Sequence, residues 1–287
     1  MTRLIRVALA GTMLIVIWSA ANISWSGSHA SGIIKADGRG YYAHLPALFI
    51  YHDLNFGHFD SIEAGKYNNP NYNYDYRKYS EGYTLNKYFA GTSLAMLPFF
   101  GLGHALTLIT GEDADGYSNY YQIAISLAGI TYLFLSLLVL IRIAREFHIS
   151  DKAIALAIPI IVLGTNWYYY VVSEPAMSHV YSVFFISTFV YQSIRWSRGE
   201  KTALIWMGIL LGLITFIRPV NAIIVFIIPV LFKNISDFSA HLLNAFKHPG
   251  QLMAAIGLAV LIPMLQLVVY KIQTGHFFIY AYEEEGF

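Results

Sequence analysis

Apolar stretches that approach the roughly 20 residues an α-helix needs to cross a hydrocarbon core recur along the whole chain. Only 12% of its 287 residues are Asp, Glu, Lys or Arg, too few to solvate the surface of a soluble protein built from such runs. Inside a bilayer every backbone N–H and C=O must be paired within the segment, and continuous runs of this length do that as helices. The fold class is therefore all-α, a polytopic helical membrane protein. Hydropathy predicts spans at about 5–24, 119–142, 153–172, 179–196, 202–217, 220–232 and 252–272, seven crossings in all.

Basic residues give the expected orientation. With a cytoplasmic N-terminus, Arg3 and Arg6, then Arg142, Arg145 and Lys152, then Arg195, Arg198 and Lys201, then Lys233 and Lys247 all fall on the cytoplasmic side. Tyr88 to Ile109 is also apolar enough to cross, but counting it would send two of these basic loops outside. With Pro98 and glycines at 91, 101 and 103, it is expected to form a re-entrant or interfacial helix pair. The start of the chain could be a signal peptide, with Ser28-His29-Ala30 as a loose cleavage site. The length of the run and its Trp18 and Trp25 favour an anchor.

The organisation that follows is a single transmembrane module over 1–287. It has a first span, a long extracytoplasmic loop over 26–118 with interfacial helices, six further spans over 119–272, and the start of an outer loop over 273–287. Tyr41 to His52 is expected to lie along the membrane surface, and the tyrosine-rich Tyr67 to Tyr83 to be a polar surface loop. The ending at Glu283-Glu284-Glu285-Gly286-Phe287, just after a span emerges, suggests that further spans or a soluble domain follow.

Several chemistries are set aside. The net charge of +1 and dispersed cations argue against nucleic-acid binding. The absence of cysteine removes disulfides and thiolate metal sites. No Walker loop, dinucleotide fingerprint, His-Glu-x-x-His helix or Gly-x-Ser-x-Gly elbow occurs. Asp113 and Asp115 have the spacing of a hard-cation site, although an acidic turn at a helix start explains them equally well. No metal site or cofactor is assigned, and a divalent cation is left open.

Three groups of ionisable residues stand at the ends of spans on one side. Ala36-Asp37-Gly38-Arg39-Gly40-Tyr41-Tyr42 places a carboxylate and a guanidinium just beyond the first span, where charge is costly to desolvate and often marks a site. Ser173-Glu174-Pro175-Ala176-Met177-Ser178-His179 adds a carboxylate and an imidazole, with a backbone-bonded helix-start histidine as the plain alternative. Ile217-Arg218-Pro219 joins two short segments. At 1.5 Å per residue, Thr202 to Ile217 reaches about 24 Å and Val220 to Phe232 about 20 Å, against a core of roughly 30 Å. Arg218 should then be recessed, where its guanidinium fork suits a phosphate headgroup; the alternative is a snorkelling interfacial arginine.

In their order and shared side, these pieces resemble the GT-C fold of integral membrane glycosyltransferases. The likeness rests on Asp37 with Tyr41-Tyr42 and Leu45-Pro46, Lys87-Tyr88 to Pro98-Phe99-Phe100, Ser173-Glu174-Pro175 with Ser178-His179, and Gly212-Leu213 with Arg218-Pro219. Within that fold the chain is similar to bacterial relatives of protein O-mannosyltransferases and of lipid A aminoarabinose transferases. The resemblance implies inverting transfer of a sugar from a polyprenyl-phosphate-linked donor to an unknown glycan, lipid or protein acceptor, at the outer face of a bacterial inner membrane. It implies Asp37 as general base, Arg39, Arg218 and His179 on the donor phosphate, Glu174 as an acidic partner, and Tyr41, Tyr42 and His44 as acceptor or sugar contacts. The mannosyltransferase branch usually has an acidic neighbour beside the loop aspartate, where this chain has Gly38. Two other classes compete: a non-catalytic polyprenyl-lipid-binding protein or transporter, and a structural subunit of an envelope glycan assembly.

Overall fold

A computed structural model of the protein describes residues 1–25, 32–68, 74–80, 82–279 and 281. Ser28-His29-Ala30 and Glu283 to Phe287 lie outside the described residues. Among the described residues are ten α-helices: α1 (Arg3–Ser24), α2 (Asp37–Phe49), α3 (Gly91–Thr110), α4 (Asn119–Glu146), α5 (Asp151–Leu163), α6 (Asn166–Ser173), α7 (Ser178–Ser197), α8 (Thr202–Ile217), α9 (Ile235–Phe246) and α10 (Pro249–Thr274). A π-helical segment covers Phe59–Lys66 and a 3-10 helix Pro219–Leu231. Strands β1 (Arg77–Ser80) and β2 (Tyr83–Asn86) pair antiparallel with Arg77 opposite Asn86, a small departure from the all-α expectation.

Helices α1, α3, α4 and α10 are each long and apolar enough to cross a membrane. The bent pairs α5–α6 and 3-10 helix–α9 raise the number to six if each is one span. Large apolar side chains point outward from several of them, with Leu14 66%, Trp18 67%, Phe226 72% and Met253 72% exposed. Such a surface suits hydrocarbon rather than water, and the architecture is that of a helical integral membrane protein.

Local chemistry explains where helices break. The α5–α6 pair bends by 59° at Gly164-Thr165, where the Thr165 hydroxyl accepts the backbone N–H of Trp167 at 3.2 Å and starts a new helix. After the 3-10 helix the chain turns by 111°, and the Asn234 side chain caps α9 by accepting the N–H of Asp237 at 2.8 Å. The 3-10 helix rises about 2.0 Å per residue, so its 13 residues reach about 26 Å, further than an α-helix of that length.

The short basic loops gather at one end of the bundle. Arg198 after α7 pairs with Glu146 at the end of α4, Arg145 lies 3.5 Å from Asp151 at the start of α5, and Lys201 opens α8. At the opposite end the Ser24 hydroxyl of α1 donates to Val172 of α6 at 3.3 Å, and the Trp25 indole donates to Ser126 of α4 at 2.9 Å. Helix α8 packs closely on α10 through Gly208 and Gly212, a small-x-x-x-small pair. A Cβ at Gly208 would collide with Ala255, and one at Gly212 would lie 2.7 Å from the Leu258 carbonyl oxygen.

Three expectations for the outer loop are corrected. Tyr88 to Ile109 does not form a helix pair: α3 is a single helix with Pro98 inside it. It runs antiparallel to α4, with the Tyr132 hydroxyl donating to the Ala95 carbonyl at 3.1 Å and Gly103 against Tyr121 and Ala124. Its first residue, Gly91, sits against the backbone of Phe216 and Ile217 at the end of α8. Helix α3 thus begins partway along the bundle and runs away from the basic end.

The second correction concerns α2, which does not lie exposed on a surface. Every residue from Gly38 to Ala47 is buried, because the π-helical segment, the hairpin and α3 close over it. Third, the tyrosine-rich stretch is partly core where it is described. Tyr76 is fully buried. Just beyond the stretch, Leu85 and Asn86 of β2 are buried too, and the Asn86 amide donates to the Gly40 carbonyl at 2.8 Å.

Candidate active site

Ala36 takes a positive φ of 47°, a costly conformation for a residue with a Cβ. It turns the chain sharply into α2 and sets Asp37 in the first helical turn, where a negative charge favours the helix dipole. Tyr41 follows four residues later, one turn along the same face. Its hydroxyl lies near the Ser178 side chain at the start of α7, in the field of both Arg218 and Asp37. Burial is the main cause of its raised pKa.

Asp37 is also held from the outer loop. The Tyr88 hydroxyl lies beside the Asp37 carboxylate and 2.7 Å from the Tyr74 hydroxyl. Burial, then Tyr74 and Asp37, push the Tyr88 pKa far above its ordinary value, so Tyr88 stays a protonated donor. Two glycines permit this assembly. A Cβ at Gly40 would overlap the Tyr88 ring, and one at Gly38 would stand 2.8 Å from Cβ of Ala176, in the turn between α6 and α7.

That turn brings the next residues. Arg218, which ends α8, donates from Nη1 to Nδ1 of His179 at 3.3 Å. A guanidinium only donates, so Nδ1 must be the unprotonated nitrogen of the ring. The His179 ring lies 4.6 Å from Tyr170 and in the field of Arg218, Asp37 and Glu174. Glu174 is engaged beside them, accepting from the Tyr169 hydroxyl at 2.9 Å and lying 4.0 Å from Lys35 Nζ. Asn221 donates to the Ser182 hydroxyl at 3.1 Å and fixes the 3-10 helix against α7.

The cluster is recessed. Pro175 packs against Gly129 of α4, ten residues from its first residue Asn119, or about 15 Å at 1.5 Å per residue. Asp37, Tyr41, Glu174, His179 and Arg218 are therefore brought together beneath the outer layer, from three separate stretches of chain.

The other candidates fall elsewhere. Arg39, two residues from Asp37, leaves α2 on a different face and is only 6% exposed. It lies 3.2 Å from the Glu63 carboxylate and donates to the Glu63 carbonyl at 3.2 Å. Glu63 is fully buried and accepts hydroxyls from Tyr76 (2.6 Å) and Tyr117 (2.7 Å). Burial raises the Glu63 pKa, against the opposing pull of Arg39 and both tyrosines. Arg39 thus holds the outer layer together and is corrected from the donor-binding set.

Tyr42 is fully buried and donates to the Gly116 carbonyl. His44, also buried, places Nε2 3.1 Å from the Tyr88 carbonyl, and burial lowers its pKa to about 4. Neither presents a surface to a sugar, and both are corrected to packing roles. Asp113 and Asp115 share the Lys66 ammonium at 2.6 Å each, so a side-chain cation already occupies their opening. Among the described residues no group of three or more metal-ligating side chains converges.

Reasoning from the sequence missed Tyr88, Tyr74 and Lys35 in the site and Glu63 beneath it. Helical spacing could have separated Asp37 and Tyr41 from Arg39; Lys87-Tyr88 entered only as part of the resemblance, and nothing local ties Tyr88 to Asp37, 51 positions away. No protein-family model matches this chain, and no curated protein or solved structure matches it significantly.

Proposed function

We propose that the protein is a glycosyltransferase of the outer membrane face, moving a sugar from a polyprenyl-phosphate donor to an acceptor hydroxyl or amine with inversion. The observation that carries this reading is a half-buried guanidinium, Arg218, bonded to His179, with the His179 ring and the Tyr41 hydroxyl both in the field of one carboxylate, Asp37. An acid-base group and a phosphate-sized cation in one recess are the two elements this reaction requires.

In the proposed reaction the acceptor O–H or N–H gives its proton to Asp37 as its lone pair attacks the anomeric carbon. The bond from that carbon to the phosphate oxygen breaks, and its electron pair leaves with the lipid phosphate. Arg218 donates hydrogen bonds to the developing charge, with His179 oriented beside it. Removing one such donor typically costs about 2.7–4 kcal/mol of transition-state stabilisation, or about a hundredfold to a thousandfold in rate. Tyr88 and Tyr74 hold the carboxylate in place, and Lys35 offsets the charge of Glu174, so that Asp37 is the carboxylate open to the acceptor.

The test compares wild type with Asp37→Asn and Arg218→Ala in native membranes. Release of free polyprenyl phosphate from a mixed pool of lipid-linked sugars is read by mass spectrometry. Turnover in wild type that vanishes in Asp37→Asn, with donor binding intact, supports the base role. Binding without turnover in both proteins sinks it and favours a lipid carrier.

A further inference from the structure

A second feature lies at the other end of the bundle. A cavity of about 470 Å³ opens between α7, α8, the 3-10 helix, α9 and α10. Its walls are apolar throughout, with Phe189, Met207, Leu211, Ile228, Phe238 and Leu252 among them. At roughly 30 Å³ per water it has room for about fifteen molecules, none of which would find a polar partner. Two of its lining residues, Phe226 and Ile256, are 72% and 56% exposed on the outside of the bundle. The cavity thus opens sideways, toward hydrocarbon.

Its inner end meets a small polar pocket. Trp196, Leu204 and Ala245 line both, and the polar side adds Lys201, His241, Asn244, His248 and Gln251. The neighbouring Glu200 carboxylate pairs with Arg195 rather than with Lys201, which is exposed and lines the pocket. His248 is the residue before the first turn of the 26-residue α10, so the positive end of that helix dipole lies at the pocket. His241 is held by aromatic edges, 4.5 Å from Trp196 and 5.3 Å from Phe232. An apolar slot open to the bilayer and a cationic mouth at its end have the shape and charge of one amphiphile.

We propose that this end of the protein binds an anionic glycerophospholipid, with an acyl chain in the cavity and the headgroup phosphate at Lys201, His241 and His248. The site is separate from the Asp37–Arg218 cluster: Trp196 lies 17 residues along α7 from His179, about 25 Å at 1.5 Å per residue. It does not depend on the glycosyltransferase reading.

Trp196, at the junction of slot and mouth, reports on it directly. The full chain, with Trp18, Trp25, Trp167 and Trp206 changed to Phe, is reconstituted in phosphatidylcholine vesicles containing brominated phosphatidylglycerol or brominated phosphatidylcholine. Quenching of Trp196 fluorescence is followed against mole fraction. The expected result is half-maximal quenching at an about fivefold lower fraction of the anionic lipid, the preference carried by one lysine near an anionic headgroup. Lys201→Gln removes the preference without removing quenching, and Ala259→Phe, which fills the slot, lowers quenching by both lipids. Arg218→Ala changes neither. Equal quenching by both lipids in wild type, or a preference that survives Lys201→Gln with the thermal midpoint unchanged, overturns the proposal.

Discussion

At the scale of single residues, the burial of a charge decides more than its position in the sequence. Arg39 and Asp37 are two residues apart, yet one neutralises the buried Glu63 and the other faces the recess. Removing Arg39 leaves an uncompensated carboxylate in the outer layer. Arg39→Ala is therefore expected to lower unfolding free energy by about 3–5 kcal/mol, while Arg39→Met with Glu63→Gln recovers most of it. The measurement is the thermal midpoint in detergent. Equal midpoints for the single and double variants would deny the buried pair its role. Tyr88→Phe removes the hydroxyl that lies beside Asp37. A hydrogen bond to a charged group is worth about 1.5–3 kcal/mol, so lipid phosphate release should slow about tenfold or more, with donor affinity unchanged. An altered affinity and an unaltered rate would place Tyr88 in donor binding instead.

At the scale of elements, close backbone approach is what joins the two halves of the bundle. Helix α8 meets α10 at Gly208 and Gly212, and side chains there have no room without separating the helices. Gly208→Val is expected to cost about 1–3 kcal/mol, the usual penalty of overpacking, read as a lower thermal midpoint. Ile205→Val, on the same helix, serves as the comparison. A Gly208→Val midpoint equal to wild type would show that the two helices part without loss. The same elements show where a pattern was readable. Thr202 to Ile217 and Asn119 onward are visible as apolar runs. The 3-10 winding of Pro219–Leu231 is not, because its length and composition fit an α-helix equally.

At the scale of the whole molecule, the outer layer carries a pH dependence of definite sign. Burial lowers His44 and His58 to about 4, below the usual histidine value of about 6.5. Both are neutral when folded and protonated when unfolded between those values. Their contribution is complete above about pH 6.5 and is lost as pH falls toward 4. Each group then removes about 1.4 kcal/mol per pH unit. A midpoint that drops between pH 7 and pH 5, with a shallower slope in His58→Gln, is the expected result. A flat profile in wild type contradicts it.

The chain by itself determined the helical membrane class and the basic ends of the segments, because hydrocarbon length and charge asymmetry are local properties of sequence. It also marked Asp37, His179 and Arg218, since charge beside apolar runs stands out without a fold. Only the tertiary structure decided which of the marked residues meet. Tyr41 comes within the field of Arg218 across more than a hundred positions, whereas Tyr42, His44 and Arg39 turn into the core. Burial of α2 and the unbroken course of α3 were likewise decided by packing: an apolar helix has the same sequence pattern whether lipid or protein covers it.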